Sequence, residues 1–454
     1  MDWVRLNPAH REVLTKLMKT GIIRNTYIEK APHQLHFAMG YLIADPGIFC
    51  TITLNNQTAY ALNKYGGKEL QRQFLPHFIS DKPDEIWYGA TFYTELQGGS
   101  DLGANPAVAH QGTGAAPKVQ AWNSSGLWLI SSKDKYFASN AGLANGTLVT
   151  ARPEGNPPGN KGLALFFVPA FRENGSANYV IRRLEDKLGT RAVPSGEVEM
   201  KNSEAYLIGA AQQGIYIALE VLLLARLANS VAAMGIARKA MLEAFYYCHN
   251  RLAFGRRLFE HSLVKKDLLE IEVELQANLM LAFKAVEKFE NIKNDTPPYS
   301  QEYHYARFLA HIAKNMTADA SARITQQAME LYGGIGFLED FPVARWHREA
   351  LITPIWEGTS IIQALDLMEA IIKKNAHELF FREMNTLLQS IKKFADWNVL
   401  FEQYKTLQRM LNDLGSMAVE SIQFYAKDLL NSLGEFAASL YLVDAGRNRL
   451  STED

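Results

Sequence analysis

Residues 214–237 are the most apolar stretch of the chain, and what interrupts it decides its setting: Glu220 and Arg226 lie inside it, and Arg238 follows. A bilayer span does not carry charges near its centre without a specific reason, so the stretch reads as a buried helix and not as a membrane segment. From 212 to 249 the pattern is apolar nearly all round, which places the helix at the centre of a bundle with neighbours on every side. A chain built around such a helix needs several others to cover it.

The texture on either side differs. From about Asn7 to Pro83 the pattern is helical, with few β-branched clusters. Between Thr94 and Leu207 it turns strand-like, in short apolar runs such as Leu127-Trp128-Leu129-Ile130, Thr147-Leu148-Val149 and Leu163-Ala164-Leu165-Phe166-Phe167-Val168. Turn-forming segments rich in Gly, Pro and Asn separate them, as in Glu154-Gly155-Asn156-Pro157-Pro158-Gly159-Asn160. From Gly209 the helical signal runs to the end, broken at Asn294-Asp295-Thr296-Pro297-Pro298. The expected architecture is a multidomain α+β chain: an N-terminal helical domain over 1–93, a middle β-domain over 94–208, a helical bundle over 209–374 and a helical extension over 375–454. A chain of 454 residues is too long for one ordinary core, in keeping with that division.

Composition removes whole classes. With 48% hydrophobic and 21% charged residues, wholesale disorder is excluded. Lys plus Arg (47) nearly cancels Asp plus Glu (48), so nothing points to a nucleic-acid or membrane partner. Two cysteines, Cys50 and Cys248, make no disulfide framework, and with no signal-peptide layout at Met-Asp-Trp-Val-Arg a reducing, cytoplasmic setting is expected. No complete Gly-x-Gly-x-x-Gly, phosphate loop, His-Glu-x-x-His or Gly-x-Ser-x-Gly occurs. Ser262-Leu-Val-Lys265 matches a nucleophile motif formally but reads as a helix-capping serine, and the His33/His36 pair lacks a carboxylate partner, so no metal site is expected.

Three other segments stand out. Thr94-Glu95-Leu96-Gln97-Gly98-Gly99-Ser100-Asp101 sets glycines and hydroxyls where helical texture gives way to strands, so backbone amides there can approach a ligand closely. Arg251-Leu-Ala-Phe254-Gly255 ends a long helix with a cation and an aromatic. Ile355-Trp356-Glu357-Gly358-Thr359-Ser360 puts a carboxylate beside a large aromatic just before a new helix.

Taken in order, with Lys187-Leu-Gly-Thr-Arg191 and Tyr332-Gly-Gly-Ile-Gly-Phe337 between them, these segments resemble the acyl-CoA dehydrogenase family from about His36 to Lys374. Thr94-Glu95 with Gly99-Ser100-Asp101 is similar to its flavin loop Thr-Glu-Pro-Gly-x-Gly-Ser-Asp. Arg251-x-x-Phe254-Gly255 is similar to Arg-x-x-Phe-Gly, and Trp356-Glu357-Gly358-Thr359 to Tyr-Glu-Gly-Thr. Gln97 and Trp356 resemble most the branch that holds the alkylation-response flavoprotein AidB.

The resemblance implies FAD as cofactor, an acyl-CoA substrate and α,β-dehydrogenation to the 2-enoyl-CoA. Electrons would pass to an electron-transferring flavoprotein, or to oxygen if the chain is an oxidase; the alternative is an AidB-like DNA-associated stress flavoprotein. Glu357 takes the position of the catalytic base, and Ala225, which precedes Arg226, leaves the family's other base position empty. Thr94 would hold the flavin ring, and Ser100 would face pyrophosphate or substrate. Phe137-Ala138-Ser139 replaces the family's Trp-x-Thr, with Phe137 against the ring and Ser139 supplying a hydroxyl. Arg251 and Phe254 would reach the FAD of a neighbouring subunit in a homodimer or homotetramer, Gly333 and Gly334 would admit the dinucleotide, and Thr359 would contact it. Ile361 stands where the family places a glutamine-type contact, and Arg226 would brace the catalytic loop.

Departures from the family pattern are expected too: a short segment before Thr94, an insertion-like stretch from Gly112 to Ser125, and the region after Lys374. In residues 381–454, eight basic against ten acidic residues leave −2, which argues against duplex DNA binding through that region.

Overall fold

The computed structural model describes residues 4–112, 126–393, 397–414 and 416–450. Most of the insertion-like stretch, residues 113–125, lies outside them. The chain divides into two compact units, one of residues 1–36 and 47–225, the other of 37–46 and 226–454.

The first unit begins with helices α1 (Pro8–Lys19), α2 (Arg24–Tyr27), α3 (His33–Ile43, shared with the second unit), α4 (Pro46–Tyr65) and α5 (Lys68–Phe78). Strands follow: β1 (Gly89–Phe92), β2 (Val108–Gln111), β3 (Trp128–Ser139), β4 (Gly146–Pro153), β5 (Ala164–Pro169), β6 (Val180–Leu184) and β7 (Ser195–Leu207). β1 therefore forms ahead of the strand-like texture that begins at Thr94. The strands run β4-β2-β3-β7-β5 and return to β4, closing a barrel that β1 and β6 join at β4 and β7. Closure removes the exposed sheet edges that would otherwise invite pairing with other chains. The barrel fills with small and medium side chains, among them Ala109, Ile130, Ala151, Phe166, Val168, Val198 and Met200.

α4 supports this barrel in a way its sequence hides. Thr51, Thr53, Asn55, Asn56, Gln57 and Thr58 are all buried. Such groups persist away from water only when hydrogen-bonded. Asn55 Nδ2 donates to Phe78 O (2.9 Å) while its Oδ1 accepts from Gly89 N (3.1 Å). Thr51 donates to Asn140 Oδ1 (3.0 Å), and Asn140 donates to Gly89 O (2.8 Å). One polar seam thus fixes the start of β1 and the end of β3.

The second unit takes the later part of α6 (Gly214–Asn250), the helix predicted at the centre of a bundle. α6 is long and apolar enough to cross a membrane, yet most of its apolar window is buried inside the protein. With it come β8 (Leu252–Ala253), β9 (Arg256–Arg257), α7 (Ser262–Ile292), α8 (Gln301–Tyr332), α9 (Pro342–Ala350) and α10 (Ser360–Ile372). Ser262 opens α7 as its first helical residue, and His261 occupies the capping position that the sequence suggests for the serine. The region after residue 375 forms α11 (Ala376–Ser390), α12 (Trp397–Leu414) and α13 (Val419–Leu450). It packs into the unit: α11 lies on α8, and α13 on α7, α8 and α10. Glu383 of α11 ties it down, accepting from Tyr305 Oη (2.9 Å) of α8 and Tyr441 Oη (3.1 Å) of α13.

Candidate active site

Glu357 stands in the turn between α9 and α10, in a backbone conformation that needs support. Its φ is +57° and that of Gly358 is +91°. A left-handed non-glycine residue costs of order 1–3 kcal/mol and persists only where its surroundings over-determine it. Here three side chains hold the two carbonyl groups. Arg226 Nε donates to Glu357 O (3.3 Å), and Gln363 Nε2 donates to Glu357 O (3.0 Å) and Gly358 O (2.9 Å). Lys314 Nζ donates to Gly358 O at 2.6 Å. On the other side Trp356 Nε1 donates to Asn229 Oδ1, and Asn229 donates to Thr353 O (3.2 Å). A side chain at position 358 would strike Gln363 Nε2 at 2.8 Å, so the turn needs its glycine.

The surroundings are charged and dry. Arg226, His311, Lys314 and Gln363 are all buried. Arg226 NH2 pairs with Asp366 Oδ2 at 3.0 Å, and Arg307 pairs with Glu369 at 2.9 Å. Burial raises the Glu357 carboxyl above its ordinary value, while Arg226 and Lys314 pull it the other way. Burial lowers Lys314 to about 7, opposed by the Glu357 charge and reinforced by Arg226. His311, lowered to about 3 by burial and by Arg226, is neutral, with Nδ1 at 2.8 Å from Gln363 Oε1. A carboxyl with a raised proton affinity, on a turn held at its backbone, is suited to act as a general base.

The sequence singles out Arg226 and Glu357, and the structure brings them together. It also adds Lys314, Gln363, Asp366 and His311. Their signal in the sequence is faint: His311 and Lys314 are polar residues three apart on the apolar α8, a spacing that puts both on one face. Thr359 is the N-cap of α10 and its side chain makes no capping bond. Ile361 is exposed.

In the first unit the backbone ties Thr94 to Tyr136, the residue before Phe137, Tyr136 N donating to Thr94 O at 2.9 Å. A fully buried ion pair anchors both segments: Lys135 Nζ lies 2.7 Å from Glu95 Oε1, with side chains 0% exposed. Ser132 Oγ (2.9 Å) also donates to that carboxylate, and Lys135 donates to Thr150 O (3.1 Å). Phe137 has φ +49° and donates its N–H to Glu185 Oε1 (3.1 Å), leaving its ring 59% exposed. Ser139 Oγ is 3.3 Å from Ser195 Oγ, which accepts from Lys187 Nζ (3.0 Å). Ser100 is exposed.

Two further segments of the second unit are exposed. Phe254, at the tip of the β8–β9 hairpin, is 96% exposed with φ +52°, and the Arg251 side chain beside it is exposed. Gly333 ends α8 at φ +66°, and a Cβ at Gly333 or Gly334 would meet no atom within 4 Å. Internal packing therefore does not explain the second glycine; open space over bare backbone does suit a close-lying ligand. Within the first unit the exposed Phe137 and the hydroxyls of Thr94 and Ser139 suit a flavin of the kind the sequence resemblance implies; within the second, taken by itself, the exposed Arg251 and the bare backbone at Gly333-Gly334 suit a phosphate-bearing ligand. Among the described residues no cluster of His, Cys, Asp and Glu could hold a metal ion.

The chain is similar to known proteins along most of its length. The model "Acyl-CoA dehydrogenase, middle domain" matches residues 90–203 and "Acyl-CoA dehydrogenase, C-terminal domain" matches 212–372. The bovine mitochondrial short-chain specific acyl-CoA dehydrogenase is 30% identical over 313 residues, 68% of each chain. Acyl-CoA dehydrogenase family member 11 of Caenorhabditis elegans is 25% identical over 402 residues, which cover 86% of this chain but 63% of that protein. AidB of Escherichia coli is 29% identical over 319 residues, 67% of this chain and 54% of its own. Identity to AidB is thus no higher than to a short-chain dehydrogenase. The structure of C. elegans ACDH-11 in complex with C11-CoA superposes with a TM-score of 0.85 at 22% identity, over 97% of this chain and 76% of that one, and so shares the fold.

Proposed function

The chain belongs to the acyl-CoA dehydrogenase family, and on that premise we propose that it oxidises an acyl-CoA thioester to the 2-enoyl-CoA with Glu357 as the base. The α-proton goes to the Glu357 carboxylate; bound FAD, the cofactor of the family, supplies the acceptor for the hydride leaving the β-carbon. The observation that carries the reading is the Glu357 turn, held at both carbonyls and set where burial raises the carboxyl's proton affinity. Raising that affinity makes the carboxylate a better base for a weakly acidic C–H. Thr94 and the Phe137 ring would hold the isoalloxazine with Ser139 supplying a hydroxyl, Ser100 would face the pyrophosphate or the substrate, Thr359 would contact the cofactor, Gly333 and Gly334 would admit the dinucleotide of a neighbouring subunit, and Arg226 would keep the base in place. Arg251 and Phe254, both exposed, would serve the FAD of a neighbouring subunit, which requires a homodimer or homotetramer.

The electron acceptor proposed is an electron-transferring flavoprotein; rapid hydrogen peroxide formation by reduced enzyme in air would assign an oxidase instead. A DNA-associated role is not adopted, because the identity to AidB is matched by that to a short-chain dehydrogenase. The test is anaerobic mixing with a panel of acyl-CoAs while the flavin spectrum is followed. Glu357→Gln should bind FAD and acyl-CoA and lose reduction by about 10²-fold or more; near-normal reduction in that variant refutes the assignment.

A further inference from the structure

Lys314 belongs to no motif that the proposed reaction uses, yet it is 0% exposed and its ammonium ends on the turn that carries Glu357. A buried lysine that formed no specific contact would be a plain cost, so the destination of the contact matters. Lys314 Nζ reaches the carbonyl of Gly358, the residue that makes the second left-handed step of the turn. The same carbonyl accepts from Gln363, whose Oε1 lies 2.8 Å from His311 Nδ1, three residues before Lys314 on α8. α8 therefore grips the turn twice, once directly and once through Gln363. Arg226 grips the adjoining carbonyl from α6.

We propose that Lys314 is a positioning residue for the base: its ammonium fixes the Glu357–Gly358 turn from α8 and sets a second positive charge at the base's turn. This rests on the reading of Glu357 as the base. The charged groups that act on Lys314 are Glu357 in the turn, Arg226 on α6 and Asp319 on its own helix. Arg226 pulls on the Glu357 carboxyl too, and more strongly, while also pairing with Asp366; Lys314 adds a second positive charge from α8.

The test compares Lys314→Met, which keeps length and loses charge, with Lys314→Arg, which keeps charge. The readout is the titration of the Glu357 carboxyl, followed by infrared difference spectroscopy through the carbonyl band that disappears in Glu357→Gln. Loss of an opposite charge nearby should move that titration up by about one pH unit or more in Lys314→Met. Lys314→Arg should stay close to wild type. Where the enzyme reduces its flavin with acyl-CoA, the acid limb of kcat/KM should move up in step and kcat should fall about tenfold, with KM changing less, as expected for a loss felt mainly in the transition state. A purely structural role would lower the melting temperature and leave the carboxyl titration where it was; that result overturns the inference. If Lys314→Met does not fold, Lys314→Gln is titrated in its place and judged by the same shift. A wild type that binds acyl-CoA without reducing flavin would sink the proposed reaction, while the carboxyl titration would still decide the role of Lys314.

Discussion

Replacing Arg226 with methionine should destabilise the protein through one identifiable debt, the carboxylate of Asp366. The Arg226 side chain is 6% exposed and Asp366 30%, with NH2 3.0 Å from Oδ2. Breaking a buried pair by removing one partner costs about 3–5 kcal/mol, because the other charge stays behind unpaired. Asp366 retains some access to water, so the lower end, about 3 kcal/mol, is expected. Burial would raise Asp366, yet it is held below the ordinary carboxylate value by the positive groups around it, Arg226 and Arg307 among them. The double variant Arg226→Met/Asp366→Asn removes both charges and should recover about 1–3 kcal/mol relative to the sum of the single changes. Denaturant unfolding of the four proteins measures this coupling. Additive losses would refute the pairing argument. The Glu357 turn should loosen in Arg226→Met whatever the stability, because Glu357 O loses one of its two donors.

Three further outcomes follow from the same structure. Lys135→Met should cost about 3–5 kcal/mol by stranding the fully buried Glu95, and adding Glu95→Gln should return part of it in thermal unfolding. Arg251→Ala should weaken FAD retention more than folding, and a monomer that holds FAD normally in sedimentation would contradict the role given to the hairpin. Lys314 titrates near 7 in the fold and near 10.5 when free, so the unfolded chain binds more protons between those values. Its charging penalty is fully present below pH 7 and is relieved as pH rises toward 10.5. The melting temperature of wild type should therefore gain on that of Lys314→Met from pH 7 to 9, and a gap that does not change with pH would contradict the lowered value.

What the sequence made legible was whatever rests on local pattern. The apolar run of α6 shows its burial directly, because an all-round apolar helix has no face for water, and the short apolar runs after residue 94 show strands because turn-forming segments bound them. The catalytic turn was legible because a carboxylate, an aromatic and a glycine adjoin in the chain. Its supports were not, since Lys314, Gln363 and Asp366 come from two other stretches, and a buried lysine on α8 looks in sequence like any solvated one. α4 shows the same blindness: a run of Thr, Asn and Gln reads as exposed, but Asn140 and Gly89 are its partners across the fold. The barrel's first strand escaped for a different reason, because Gly89-Ala-Thr-Phe92 is too short to declare a period and is set by pairing in parallel with Gly146–Val149 of β4. In each case the missing information is a long-range polar contact. Burying a polar group is unfavourable until its partner arrives from elsewhere in the chain, so composition along one segment carries no trace of it. Arg226 apart, the residues that hold Glu357 are therefore the part of this site that only three dimensions could give.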